Sequence, residues 1–233
     1  IAKYGAVGVL PRLIEAFVRV KRTSNVIEVV KLIDQFDLPR EAIPTQWLNE
    51  AVVWEALLER MPMTAMVRNL GKMTSLGLIK PFSDAKKLVL RKLKDEAALK
   101  RSRIHPLAVL VAQKIYAQGH GDKGALKWSP VSAIVDALDA AFYATFSNVE
   151  PCNKPVLLAL DVSGSMAGGS VAGSCLTPRE ASAAMALVTA ATESEHHIMG
   201  FSDRFMPLNI SPRMRLDNVV KRISDLPFER TDC

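Results

Sequence analysis

Residues 156–165 read Val-Leu-Leu-Ala-Leu-Asp-Val-Ser-Gly-Ser, an apolar stretch that runs directly into an Asp-x-Ser-x-Ser loop. Five successive apolar residues, Val156 to Leu160, have the make-up of a central parallel strand buried on both faces. The polar loop then falls at the strand's carboxyl end, the edge along which open α/β sheets hold their ligands. Asp161, Ser163 and Ser165 alternate, so one side of the loop can offer a carboxylate and two hydroxyls together. Such oxygen donors suit a hard divalent cation, magnesium first and manganese or calcium as alternatives. A capped turn with no ion is the structural alternative.

The segment after this loop alternates helix and strand. Gly164 to Ser174 is rich in small residues but lacks Gly-Lys-Ser/Thr, which excludes the usual phosphate-binding loop of NTPases. Pro178 opens an Ala-rich helix to about Thr192, with Ala181, Ala184, Met185 and Val188 expected to face inward. A second strand is expected over Ile198 to Phe201 and a third over Phe205 to Ile210. Leu216, Val219, Val220 and Ile223 then have the spacing of a helix face. This order predicts a doubly wound sheet that is incomplete within the 233 residues, with apolar edge surface left exposed. No His, Cys or additional carboxylate lies near Asp161 in sequence to act as base or nucleophile, and the second Asp of a phosphotransferase loop is missing. A catalytic role is therefore not expected.

The first part of the chain reads as short helices with clear punctuation. Pro11 can open one that buries Leu13, Ile14, Phe17 and Val18, and a second carries Val26, Val29, Val30 and Ile33. Thr45 is a possible N-cap for a helix with Trp47, Ala51, Trp54 and Leu58 on one face. Pro62 suits a first-turn position, Met66, Val67 and Leu70 form a face, and Gly71 fits a stop. Ser83 can cap a helix through Leu93, Pro106 and Gly119 bracket another, and Ser129-Pro130 opens one to about Phe146. Trp128, in a basic turn, is open to two readings: a stacking surface or an anchor of the turn to the core. Short helices joined by short turns fit antiparallel pairs or a curved array. The expected division is residues 1–150 helical and 151–233 α/β.

Charge divides the chain at the same place. Residues 1–150 hold 22 Lys and Arg against 15 Asp and Glu, whereas residues 151–233 hold 8 against 9. Between Lys72 and Lys127 the ratio is 13 to 4. A basic excess confined to the helical part points to a polyanionic partner. Cys152, Cys175 and Cys233 are distant and odd in number, so reduced thiols in a cytoplasmic protein are the expectation. No apolar run reaches the roughly 20 residues of a membrane span. Beginning at Ile1 without Met and ending inside a motif, the chain reads as a piece of a longer protein.

Specific stretches resemble a known family. Val20-Lys21-Arg22-Thr23, Arg68-Asn69-Leu70-Gly71-Lys72-Met73-Thr74, Arg103-Ile104-His105-Pro106, Leu126-Lys127-Trp128 and Ala137-Leu138-Asp139-Ala140-Ala141-Phe142-Tyr143 resemble the TROVE module. With Phe201-Ser202-Asp203 and Thr231-Asp232-Cys233 they are similar to the Ro autoantigen family of RNA-binding proteins. The resemblance implies a HEAT-like array of paired helices followed by a von Willebrand factor A domain, whose metal-ion-dependent adhesion site would comprise Asp161, Ser163, Ser165 and, from a second loop, Thr231. It implies binding of small noncoding Y-like RNAs and of the single-stranded 3′ ends of misfolded RNAs, by a monomer that can work with an exoribonuclease. On the matching motifs, Lys21, Arg22, Arg68, Asn69, Lys72, Arg103, His105 and Lys127 are the expected RNA contacts. Asn69 and His105 are equally readable as helix caps. Trp47 stands where animal members carry a His associated with RNA binding, and Arg230 where members have Gly before the Thr. A metal-dependent protein-binding module is the competing reading.

Overall fold

The computed structural model describes residues 11–122 and 124–226. Eight helices come first: α1 (Arg12–Arg22), α2 (Val26–Phe36), α3 (Ala51–Arg60), α4 (Met63–Ser75), α5 (Asp84–Lys94), α6 (Glu96–Ser102), α7 (Pro106–Gln118) and α8 (Ser132–Ala144). The α/β part follows as β1 (Val156–Asp161), α9 (Pro178–Thr192), β2 (His196–Phe201), β3 (Phe205–Pro207) and α10 (Leu216–Ser224).

Local chemistry sets most helix ends. Asn25 accepts from the Ile27 amide at 2.9 Å, Ser83 from Lys86 at 3.2 Å and Asp95 from Ala98 at 2.9 Å, each satisfying a first-turn donor that the helix itself cannot. Pro106 occupies the first turn of α7, and Gly119 ends that helix at φ 77°. The helices pack in neighbouring pairs, α1 on α2, α2 on α3, α4 on α7 and α7 on α8. Their shared core holds Trp54, Leu58, Met66, Leu70, Tyr116, Ile134, Leu138 and Phe142, all essentially buried.

The structure departs from the sequence reading in several places. In α1 the buried residues are Ala16 and Val20, while Leu13 and Ile14 face outward. Among the described residues α2 is the helix that packs closely on α1. Thr45 caps no long helix: Trp47–Asn49 form a short 3-10 turn, α3 starts at Ala51, and the Trp54 indole donates to the Leu48 carbonyl at 2.9 Å. Gly71 does not stop α4, which continues to Ser75, with Gly77 (φ 72°) in the turn beyond. Met185 is exposed, and Ala183, Ala186 and Leu187 join Ala184 and Val188 on the buried side of α9.

The role of Gly71 is spatial. A Cβ there would stand 2.7 Å from carbons of the Trp128 ring. Trp128 stacks on Tyr116 with centroids 6.2 Å apart, and its indole donates to the Tyr116 carbonyl at 2.9 Å. Trp128 is thus the anchor of its turn. Helix propensity alone predicts that Gly71→Ala stabilises α4 by up to about 1 kcal/mol. The contact predicts the opposite sign, a loss of about 1–3 kcal/mol with a displaced indole, measured by urea unfolding followed through tryptophan fluorescence.

The sheet has the order β1-β2-β3, with β1 and β2 parallel and β3 antiparallel to β2. The registered pairs Leu158–Ile198 and Leu160–Gly200 face the core, whereas Leu157 is 62% exposed. Among the described residues β1 has one neighbouring strand and one covered face, so the exposed apolar surface expected of an incomplete sheet is present. The third strand is shorter than expected and ends at Pro207, where Leu208 turns in to pack near Gly200. Cys152 and Cys175 are free thiols, and no described helix is long and apolar enough to cross a membrane.

Candidate metal centre and nucleic-acid surface

The parallel register brings the ends of β1 and β2 together, Asp161 opposite Phe201, and the Val162 amide extends the pairing by donating to the Phe201 carbonyl at 3.0 Å. Beyond that line the chain must turn, and the Asp161 carboxylate makes the turn by accepting from the Ser163 amide at 2.8 Å. Ser163 is buried and Ser165 exposed, yet their hydroxyl oxygens stand 2.9 Å apart. The alternation in sequence is therefore a convergence in space. Among the described residues no three His, Cys, Asp or Glu side chains form a metal cluster. The donors here are one carboxylate and two hydroxyls, a hard oxygen set that fits a divalent ion such as magnesium. Thr231, the expected second-loop ligand, lies outside the described residues.

Three further residues at this end of the sheet carry no place in the sequence-predicted site. Arg179, on the first turn of α9, is 6% exposed; it donates to the Ser163 carbonyl at 3.0 Å and to the Ser224 hydroxyl of α10 at 3.2 Å. It fastens the loop to both helices, and an Arg in a first helical turn carries no sequence signal for that. Ser202 is buried, and its hydroxyl donates to Asp203 at 2.9 Å. The Ser202 hydroxyl, aided by the Asp203 amide and Arg204, holds the Asp203 carboxyl below the usual aspartate range. An ionised carboxylate thus stands where the second parallel strand ends, a position that the strand-end rule could have flagged.

α9 also carries the contact with the helical array. Thr177 and Glu180 form a reciprocal capping box, in which the Thr177 hydroxyl accepts from the Glu180 amide at 3.1 Å and Glu180 accepts from the Thr177 amide at 3.0 Å. The other carboxylate oxygen of Glu180 takes Lys114 of α7 at 2.6 Å. Around α10, Arg215 pairs with Asp139 and lies 4.3 Å over the Tyr143 ring, whose hydroxyl accepts from the Leu216 amide at 2.9 Å.

The RNA candidates distribute unevenly. Arg68, Asn69 and Lys72 line a cavity of about 630 Å3 between α4 and α7, together with Leu126 and Trp128 of the 119–128 turn and Gly173 from the segment after the metal loop. Lys127 is exposed in that turn, its backbone paired antiparallel with that of His120. Asn69 is not a cap; it lies mid-helix and donates to the Ala65 carbonyl at 2.8 Å. Lys72 reaches Asn49 at 2.9 Å. Arg103 is exposed at the left-handed end of α6, and His105 caps α7 by accepting from the Leu107 amide at 3.2 Å. Lys21, 4.2 Å from the Phe17 ring centroid, and Arg22 lie at the far end of the array on α1. Neither lines the α4–α7 cavity.

A helical array docked against an α/β sheet with a carboxylate-and-hydroxyl loop at its strand ends defines a von Willebrand A-type domain carried by an α-helical scaffold. Family comparison agrees: residues 36–115 match the TROVE domain and residues 155–233 the Ro60 vWA domain. The chain belongs to the Ro family. It is 41% identical over 242 residues to the RNA-binding protein RO60 of Deinococcus radiodurans and 42% identical over 224 residues to that of Caenorhabditis elegans. All of this chain and 45% of the bacterial relative are covered, against 95% and 34% for the nematode one, so the chain spans less than half the length of either. The crystal structure of the Deinococcus radiodurans RO (RSR) protein superposes with a TM-score of 0.84 at 42% identity, over 93% of this chain and 45% of that one.

The Glu180 junction predicts a pH dependence. Burial raises the carboxyl's affinity for its proton, but Lys114 and the Thr177 amide outweigh it, so its value lies below the ordinary glutamate range. A depressed carboxylate stabilises the fold above its unfolded value and loses that contribution as pH falls through the folded one. Because Lys114 is partly exposed, Glu180→Gln should cost only about 0.5–1 kcal/mol at pH 7. The difference should vanish below the glutamate range when unfolding is compared at pH 7 and in acid.

Proposed function

We propose that this chain is the helical and metal-loop portion of an RNA-binding protein of Ro type, without catalysis of its own. The observation that carries the reading is the α4–α7 cavity: Arg68, Asn69 and Lys72 line it, beside the turn that bears Lys127. Both curated relatives bear the name RNA-binding protein. Lys and Arg side chains there neutralise phosphates and release counterions, which gives affinity without demanding a sequence. Arg103, His105, Lys21 and Arg22 extend the basic surface away from the cavity. The RNA classes proposed are small noncoding Y-like RNAs and the single-stranded 3′ ends of misfolded RNAs, bound by a cytoplasmic monomer for quality control or decay, with an exoribonuclease as a protein partner.

Asp161, Ser163 and Ser165, joined by Thr231, are proposed to hold a divalent ion, magnesium first. The bound ion would supply a Lewis-acidic site for an anionic oxygen of a partner. Asp161 orients the loop through the Ser163 amide, and Arg179 fixes the loop's carbonyl side.

Fluorescence anisotropy on the full-length protein tests the RNA reading, with a hairpin RNA carrying a single-stranded 3′ tail compared with a blunt duplex. Tight binding that requires the tail and weakens with a log–log salt slope of about −0.7 per neutralised phosphate supports it. Equal, weak binding to both probes defeats it and moves a metal-dependent protein-binding role to the front. The metal reading has its own test. Manganese should raise the melting temperature of the unaltered protein, and Asp161→Ala should abolish that rise; a rise that persists in the variant places the ion elsewhere.

A further inference from the structure

The turn between α4 and α5 holds a phenyl ring almost wholly in water. Phe82 is 92% exposed, and the next most exposed large apolar side chain in the described residues, Leu157, is 62%. The turn that carries the ring is nonetheless braced. The Ser83 amide donates to the Lys80 carbonyl at 3.1 Å, and the Ser83 hydroxyl oxygen accepts from the amides of Lys80 at 3.0 Å and Lys86 at 3.2 Å. Pro81, in the second position of this turn, fixes its own φ. The Lys86 ammonium donates to the Pro81 carbonyl and lies 5.6 Å from the Phe82 ring centroid. A braced turn therefore presents an aromatic ring with an ammonium beside it.

The surroundings are polar and basic. From Lys80 to Lys94 there are six basic residues and one acidic one, Asp84. Lys92 is committed elsewhere, donating to the Leu58 and Glu59 carbonyls at the end of α3 at 2.7 and 2.6 Å. Lys87 pairs with Asp84 at 2.8 Å, and with Arg91 it borders a shallow groove shared with Glu55 and Glu59. Lys80, close to Phe82 in the chain, and Lys86, whose ammonium lies near the ring, form no ion pair among the described residues, so the charge beside the ring stays positive. A protein-docking site would set such a ring within a larger apolar patch. This ring is 92% exposed, with the Lys86 ammonium 5.6 Å from its centroid. A bare ring amid unpaired ammonium groups complements a polyanion whose units carry flat π faces.

We propose that Phe82, flanked by Lys80 and Lys86, is a base-stacking platform for single-stranded RNA, separate from the α4–α7 cavity. The proposal rests on the RNA-binding reading above and adds a specific contact to it. The experiment measures the affinity of the full-length protein for a single-stranded oligouridine by anisotropy across a salt series, with Phe82→Ala, Phe82→Leu, Phe82→Tyr and Lys80→Gln. Stacking predicts that Ala and Leu weaken binding by about 5- to 150-fold while Tyr stays within about twofold. Lys80→Gln should flatten the salt slope by about 0.7. If Phe82→Ala binds like the unaltered protein, the platform is overturned while the RNA-binding reading stands. Leu holding as well as Tyr also overturns it, since the contact is then apolar rather than stacking. Absence of any salt-sensitive binding by the unaltered protein removes both.

Discussion

The carboxylate of Glu180 belongs to two structures at once. One oxygen closes the capping box that starts α9, and the other takes the Lys114 ammonium of α7. The first is a local device, legible in Thr177-x-x-Glu180 as a helix start; the second docks the α/β part on the helical array. Because α9 also supplies Arg179, the helix that Glu180 starts and fixes is the one that grips the Asp161 loop. A second tie runs beside it, where Tyr143 receives the first amide of α10 and lies under the Arg215 guanidinium. Together these contacts set the candidate metal loop at a defined place relative to the basic helices.

Arg179 illustrates how a buried charge is kept. A guanidinium removed from water loses its hydration, and here a backbone carbonyl and a hydroxyl receive two of its donors. The same bonds bind three separate segments, the loop after β1, the start of α9 and the end of α10. The carboxylates of Asp161 and Asp203 stand at the strand ends while Arg179 holds the Ser163 carbonyl. The loop's shape is thus a product of the elements around it as much as of its own Asp and Ser residues.

Much of this is legible in the order of the residues. The apolar run into Asp161 specifies a strand and a loop at its carboxyl end; Ser83, Pro106, Gly119 and Pro178 punctuate helices that form where expected; and the charge difference separates the two parts. Trp128 reads equally as a stacking surface or an anchor, and its indole bond to Tyr116 decides for the anchor. Gly71 reads as a stop because glycine ends helices often, yet here the missing Cβ makes room for that same indole across 57 positions of sequence. Leu13 and Ile14 read as buried because periodicity reports that a helix has an apolar face without naming what covers it.

What the sequence determined by itself is what short-range chemistry controls: strand and helix identity from apolar period, helix starts from side chains that can satisfy free amides, the alternation that lets Asp161, Ser163 and Ser165 share a side, and the sign of the charge on each part. Tertiary structure decided which residues act together across long separations. Arg179 reaches Ser163 and Ser224, Lys114 reaches Glu180, and Arg68, Asn69 and Lys72 open onto a cavity that Gly173 also borders. The physical reason is range. Capping and periodicity act within one or two turns, whereas burial of a charge, the fit of an indole over a glycine and the exposure of a ring depend on segments that only the folded packing brings near.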